Sequence, residues 1–418
     1  MYLTSEIKTE CCGCKACVEI CLRKCISIVE DSEHFEYPSL DRTKCINCHL
    51  CEKVCPISNH TFRNAEECEV WAGKYNSEEV MFGSSSGGAY TAIYKLLLRK
   101  KFIFYGVRWS DNFKVIHDIA RTEKECERFR KSKYVLSDTK NVFSKIESHL
   151  KNSEKVCFSG TPCQCAALLA YLSSKYIDCE NLVVVDIICH GAPNQYVFDK
   201  YISEKVGGKD NLNGYMFRFK NKIPYCGKTN SRSAELISPQ GESIILNAKN
   251  DPFLRGYYGR LFYRPSCGSC QFARPERVSD ISIGDAWHIE RDYPEWNSLA
   301  GVSLILLNSQ IGKDIFNDIG SQMEVKRMSV SWAVETNAQL REPTQMHPKR
   351  NTFFNLIENK SFEAAVTQSM DGSIIRKGAR KIKRLAILLF IDTRGGVNQT
   401  PCIYSQCIYN EKGSCRLR

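Results

Sequence analysis

Two cysteine runs near the start of the chain have the residue types and spacing to hold a metal-sulfur cofactor. Cys11, Cys14, Cys17 and Cys21 follow C-x2-C-x2-C-x3-C, and Cys45, Cys48, Cys51 and Cys55 repeat the pattern and close on Pro56. The doubled pattern predicts two 4Fe-4S clusters. Three thiolates at that pitch wrap one cube in a tight loop, and the fourth cysteine is carried over to the other cube. The expected ligand sets are therefore crossed: Cys11, Cys14 and Cys17 with Cys55, and Cys45, Cys48 and Cys51 with Cys21. A zinc site usually has a longer spacer between C-x2-C pairs, and a third cysteine at the same pitch is surplus to a tetrahedral ion. A disulfide framework needs an oxidising compartment, whereas Met1 to Glu10 has no signal-peptide pattern, so a reducing cytoplasm is expected.

Four further cysteines lie where strands hand over to loops. Cys163 opens a helix, Cys189 follows the apolar strand 182–188, and Cys267 and Cys270 form a C-x2-C pair. Active sites of open α/β sheets gather at the carboxyl ends of strands, so these four can converge. A third 4Fe-4S cluster is the first reading, a zinc or redox dithiol the second, and unrelated buried thiols the third. Cys12, Cys25, Cys68, Cys126, Cys165, Cys179, Cys226, Cys402, Cys407 and Cys415 fit no metal spacing and are read as packing or incidental thiols. His190, beside Cys189, is a candidate proton donor, because an unperturbed imidazole titrates near neutrality; the plainer reading is a hydrogen-bonded strand-end histidine. Asp285 and His288 are comparable candidates. Ser84, Ser85, Ser86, Gly87 and Gly88 run into the apolar stretch Ala89 to Leu98, where free amides and the helix dipole suit a phosphate group, or where the loop simply caps the helix.

These residues need a scaffold, and 418 residues with 43% hydrophobic and 25% charged side chains allow two or three domains. The fold expected is an α+β ferredoxin domain of bacterial type over 1–60, with a hairpin around Asp31 to Glu33. A linker over 61–70 follows, then a larger α/β domain over 71–370 and a basic tail over 371–418. The larger domain is expected to have a mixed sheet and an antiparallel insertion between Tyr215 and Leu246, broken at Lys222 to Pro224 and at Pro239 to Gly241. Of the formal charge of +11, +7 falls after residue 370, which argues against a nucleic-acid groove. The cluster Arg376 to Arg384 followed by seven apolar residues suits peripheral contact with an anionic membrane face or an acidic partner, or else a solvated helix end. No run approaches the roughly 18 apolar residues of a membrane span.

Taken in order, the doubled cysteine run, Ser84 to Ala89, Ser132 to Val135, Ser159 to Gln164, Cys189 to Gly191, Arg264 to Cys270 and Ser279 to Asp285 resemble one family. It is the beta-subunit family of coenzyme F420 hydrogenases and dehydrogenases, in the branch with an N-terminal two-cluster ferredoxin domain. The resemblance covers about residues 8 to 310. It implies a flavoprotein oxidoreductase in which FAD lies near an iron-sulfur cluster and exchanges a hydride with an organic acceptor such as the deazaflavin coenzyme. Carried over by position, Ser84 to Gly88, Lys133, Tyr134, Gly160 and Thr161 line the flavin, and Cys163, Cys189, Cys267 and Cys270 hold the adjacent cluster. The partners implied are a ferredoxin-type redox protein and a small organic acceptor. The family also includes chlorophyll-pigment reductases and bacterial members associated with surface-polysaccharide genes. Two departures stand out: Leu22 replaces the proline usual after the first run, and His288 the glycine usual after a Trp.

Overall fold

The computed structural model describes residues 1–62, 68–220 and 233–370, with the short strands 407–409 and 415–417. The expected break at Lys222 to Pro224, Cys226, Cys402 and the basic stretch 376–391 lie outside the described residues. Met1–Met370 form one compact unit and Asp371–Arg418 a second.

The front of the first unit is a hairpin of β1 (Ile26–Glu30) and β2 (Glu36–Leu40), antiparallel in register Ile26 to Leu40. The short helices Ala16–Ile20 and Leu50–Lys53 lie in the two cysteine runs. The remaining strands of the large domain are, in chain order, β3 (Glu69–Tyr75), β4 (Ile103–Trp109), β5 (Val115–Ala120), β6 (Val156–Gly160) and β7 (Leu182–Ile187). These are followed by β8 (Gly214–Phe219), β9 (Ser233–Ile237), β10 (Ser243–Asn247), β11 (Ile281–Asp285), β12 (Ser303–Leu307) and β13 (Met323–Met328).

Eight of them make one mixed sheet in the order β13-β3-β12-β11-β7-β6-β4-β5. The centre is parallel, β11, β7, β6 and β4 running together, and both flanks are antiparallel. The central strands read as continuous apolar runs because helices cover both faces, so β6 is buried at every position. Helix Ala89–Arg99 packs with Phe104, Val183 and Ile305 on one side, and helix Pro162–Ser174 with Val156, Phe158 and Val184 on the other. Strands β8, β9 and β10 form the expected antiparallel insertion. The sequence reading missed β3 and β13, and β3 begins at Glu69, inside the stretch expected as linker.

The front hairpin is wedged into the large domain. Phe35 and Tyr37 are fully buried and join the core that contains Phe217, Phe253 and Phe354. Arg350 forks onto Glu33 at 2.7 and 2.6 Å, and Asn194 donates to the Glu33 carbonyl. Further along, Lys15 pairs with Asp138, and Thr139 Oγ1 donates to the Cys14 carbonyl. In the second unit, Cys407–Tyr409 and Cys415–Leu417 pair as a short antiparallel hairpin. Among the described residues no helix is long and apolar enough to cross a membrane.

Candidate functional site

The two cysteine runs adopt the same backbone shape. Gly13 and Asn47, two residues past the first cysteine of each run, take positive φ, as do Lys15 and His49, one past the second. These left-handed residues give each run a tight curl. Cys11, Cys14, Cys17 and Cys55 line one cavity of about 480 Å³, walled also by Tyr2 and Ile57. Cys21, Cys45 and Cys51 pack, together with Cys17, against an apolar cluster of Leu3, Cys25 and Ile26, and Cys48 is exposed. Cys55 lies with the first run at that cavity, and Cys21 lies with Cys45 and Cys51 at the apolar cluster. Burial and the nearby Cys11 and Cys55 push the Cys17 thiol well up; metal ligation requires such thiols deprotonated.

A second cavity, about 710 Å³, brings together Cys163, Cys189, Cys267 and Cys270. Each comes from a different structural device. Strand β6 ends at Gly160, and Thr161, whose N–H donates to Gln164 Oε1, starts the helix that carries Cys163 in its first turn. Cys189 lies just past β7, before Gly191, whose φ of +127° and whose contact with the Tyr263 ring exclude a side chain. Cys267 and Cys270 sit on and just after a 3-10 turn, Pro265–Ser269. Burial pushes Cys267 up to about 12 and Cys270 up to about 11. Cys163 is raised first by its hydrogen bond with Cys12 and then by burial, and Cys189 by burial and then by Cys267. The thiols form cavity walls and do not converge on a point: among the described residues no three His, Cys, Asp or Glu side chains form a single-ion site. Arg277 underpins the cavity with an ion pair to Asp186 at 2.9 Å, both groups buried.

The two cavities share the walls Cys12 and Ile57. Cys12, read from its spacing as incidental, lies between the front thiols and Cys163. His190 lines the second cavity, where burial lowers its pKa against the opposing pull of Asp285. Asp285 is itself paired with Arg218. His288 sits at φ 63°, a left-handed conformation that glycine adopts without strain.

The Ser84 to Gly88 loop lies in a basic setting. Arg130 donates to Ser84 Oγ, Ser132 N–H donates to Ser85 Oγ at 2.8 Å, and Lys220 Nζ donates to the carbonyls of Ser86, Met81 and Ala300. A Cβ on Gly87 would stand 2.2 Å from the Gly73 carbonyl of β3, so the loop presses directly on the sheet. Lys133 Nζ is held by the Arg128 and Arg130 carbonyls, and burial followed by the Lys131 charge lowers it to about 7. Lys220 is also lowered to about 7, by burial and then by Arg218. Three carbonyl acceptors around its Nζ favour the ammonium and oppose that fall. Tyr134 stacks on Tyr257 with ring centroids 4.0 Å apart. Thr161 lines the thiol cavity, with Gly160 next to it in the chain; Tyr90, in the first turn of the helix after the loop, ties the two regions, its OH meeting Ser159 Oγ at 3.1 Å. Sequence reasoning missed Arg130, Lys131, Arg218 and Lys220.

Three family models match this chain. One, described as the C terminus of the coenzyme F420 hydrogenase/dehydrogenase beta subunit, covers residues 153–331; the corresponding N-terminal model covers 70–144; and a 4Fe-4S dicluster domain covers 10–59. The F subunit of the F(420)H(2) dehydrogenase of Methanosarcina mazei is 21% identical over 328 residues, 75% of this chain and 84% of that protein. The I 2 subunit of the NADH-quinone oxidoreductase of Geobacter metallireducens is 36% identical over 83 residues, 19% of this chain and 60% of its own length. Among solved structures, a chain described under xenon derivatization of the F420-reducing NiFe hydrogenase complex from Methanosarcina barkeri gives a TM-score of 0.43 at 13% identity. The match covers 74% of this chain and 92% of that one.

Proposed function

The chain belongs to the coenzyme F420 hydrogenase/dehydrogenase beta-subunit family and carries an N-terminal 4Fe-4S dicluster domain, and on that premise we propose that it is a flavin-dependent electron relay acting on an organic acceptor. The observation that carries this reading is the shared wall of the two thiol-lined cavities, because it sets the front domain against the large domain's own cysteine site. Cys21, Cys45, Cys48 and Cys51 hold the outer cluster, Cys11, Cys14, Cys17 and Cys55 the inner one, and Cys163, Cys189, Cys267 and Cys270 a third. The Ser84 to Gly88 loop, with Arg130, Lys133 and Lys220, receives the pyrophosphate of FAD. When bound, the clusters supply one-electron steps and the flavin the two-electron conversion. Cys163 and Cys189 are half-buried in the cavity wall, and His190 is placed to hold or give a proton beside them.

Electrons enter at the exposed end. Leu22, next to Cys21, and Ile46, next to Cys45, are 79% and 63% exposed, and the flanking cations Arg23, Lys24, Arg42 and Lys44 are exposed too, as is Cys48. That surface suits an acidic one-electron carrier protein. The acceptor is the deazaflavin coenzyme or a related organic molecule. A second reading, a relay subunit with no substrate of its own inside a larger assembly, is favoured by the subunit descriptions of the relatives.

Anaerobic purification followed by iron, sulfide and flavin assays tests the proposal. About twelve irons and one FAD per chain are expected, with Cys267→Ser losing about four irons. Eight irons without flavin would sink the flavin and third-cluster reading and leave the relay subunit.

A further inference from the structure

Four arginines are buried among the described residues: Arg218, Arg264, Arg277 and Arg350. Three of them have a carboxylate counter-ion, in Asp285, Asp186 and Glu33 respectively. Arg264, 2% exposed and the most buried of the four, forms no ion pair with a carboxylate of the described residues. Its guanidinium reaches across from the loop of the second cavity to the wall of the first. Nε donates to the Cys11 carbonyl at 2.6 Å, and Nη2 donates to the Glu36 carbonyl at 2.8 Å and to Cys11 Sγ at 3.3 Å. Its Cζ lies 4.4 Å from the centre of the Tyr37 ring. Gly13 makes room for it, since a Cβ there would stand 2.9 Å from Nη1.

A guanidinium withdrawn from water without an anion is costly, and proteins rarely leave one so. Carbonyl oxygens and an aromatic face offset part of that cost but bring no net charge. The anion missing from the side-chain inventory is supplied at Cys11, where metal ligation makes the four thiols of the first cavity thiolates.

We propose that Arg264 is the counter-cation of the cluster held by Cys11, Cys14, Cys17 and Cys55 and raises its reduction potential. The inference rests on the reading that those four cysteines hold a 4Fe-4S cluster. Adding one electron makes the cluster more negative, so a fixed cation donating to a ligand sulfur favours the reduced form. Arg264 is a positioning and tuning residue: it touches a ligand sulfur, and its backbone N–H, donating to the Ala192 carbonyl, anchors the Cys267 loop at the same time.

Redox titration followed by electron paramagnetic resonance, with iron counted in every sample, tests this on the full chain. In R264Q the reduced fraction of one front cluster should fall at least tenfold at fixed potential, about 59 mV for one electron, while the other front cluster stays put. R264K keeps the charge but loses the fork, so its midpoint should fall between those of the wild type and R264Q. An unchanged midpoint in R264Q at full iron content overturns the proposal. Should R264Q fail to take up iron, R264K is read alone: a downward shift supports the proposal and an unmoved midpoint overturns it. Wild-type protein without iron in the front domain refutes the cluster reading itself, and the proposal with it.

Discussion

Lys133 gives a test of the proposed flavin pocket whose size follows from its surroundings. In the free protein its amine loses the proton as pH rises through about 7, because burial and the Lys131 charge disfavour the ammonium. A pyrophosphate seated on the Ser84 to Gly88 loop, which is tied to Ser132 beside Lys133, restores the ammonium by opposite charge. Binding then takes up a proton. Affinity is full below pH 7 and is lost as pH rises, since more of the free protein must first be reprotonated. From a titration point of about 7, the FAD dissociation constant should rise at most about fivefold between pH 7 and pH 8, or about 1 kcal/mol. The rise approaches tenfold per pH unit beyond that. The measurement is FAD fluorescence quenching on anaerobic protein stripped of flavin, for the wild type and Lys133→Met. The variant should bind more weakly at pH 7 and show a shallower pH dependence, the residual slope coming from Lys220. Identical slopes in the two proteins would refute the placement of the anion beside Lys133.

Two further outcomes are expected. Arg277→Met leaves Asp186, which is fully buried, without its cation; the loss should be about 3–5 kcal/mol in anaerobic urea unfolding, and adding Asp186→Leu should recover most of it. A loss below about 1 kcal/mol would show that the pair does not brace the cavity. Reversing Arg23, Lys24 and Arg42 to Glu should raise KM for an acidic ferredoxin-type carrier about tenfold at low salt, less at high salt, while leaving turnover with a small viologen dye unchanged. An unaltered KM would place the docking surface elsewhere.

Spacing made the front thiols legible because the three-residue pitch acts within one loop, where sequence distance and spatial distance are nearly the same. The parallel centre of the sheet was legible for a similar reason: strands covered on both faces read as unbroken apolar runs. The flanking strands lacked that mark. β3 carries Gly73 where a side chain would strike Met323 and Ile305, and β13, at the sheet edge, carries outward-facing Glu324 and Lys326. The cations around the Ser84 loop escaped notice because the fold gathers them from afar; Lys220 reaches Ser86 only once β8 is in place. Arg264 was visible within its motif, but nothing in a local pattern says that its side chain leaves its own domain to meet Cys11.

The hairpin seated by Phe35, Tyr37 and the Glu33 fork makes the first 62 residues a fixture of the large domain, unlike a tethered carrier that swings between donor and acceptor. The interval between the two cavities is set when the core closes and does not fluctuate with solvent. In the proposed relay, passage of an electron from the front thiols toward Cys163 should then be indifferent to the viscosity of the medium, and the diffusional step confined to the meeting of the exposed Cys48 face with a carrier.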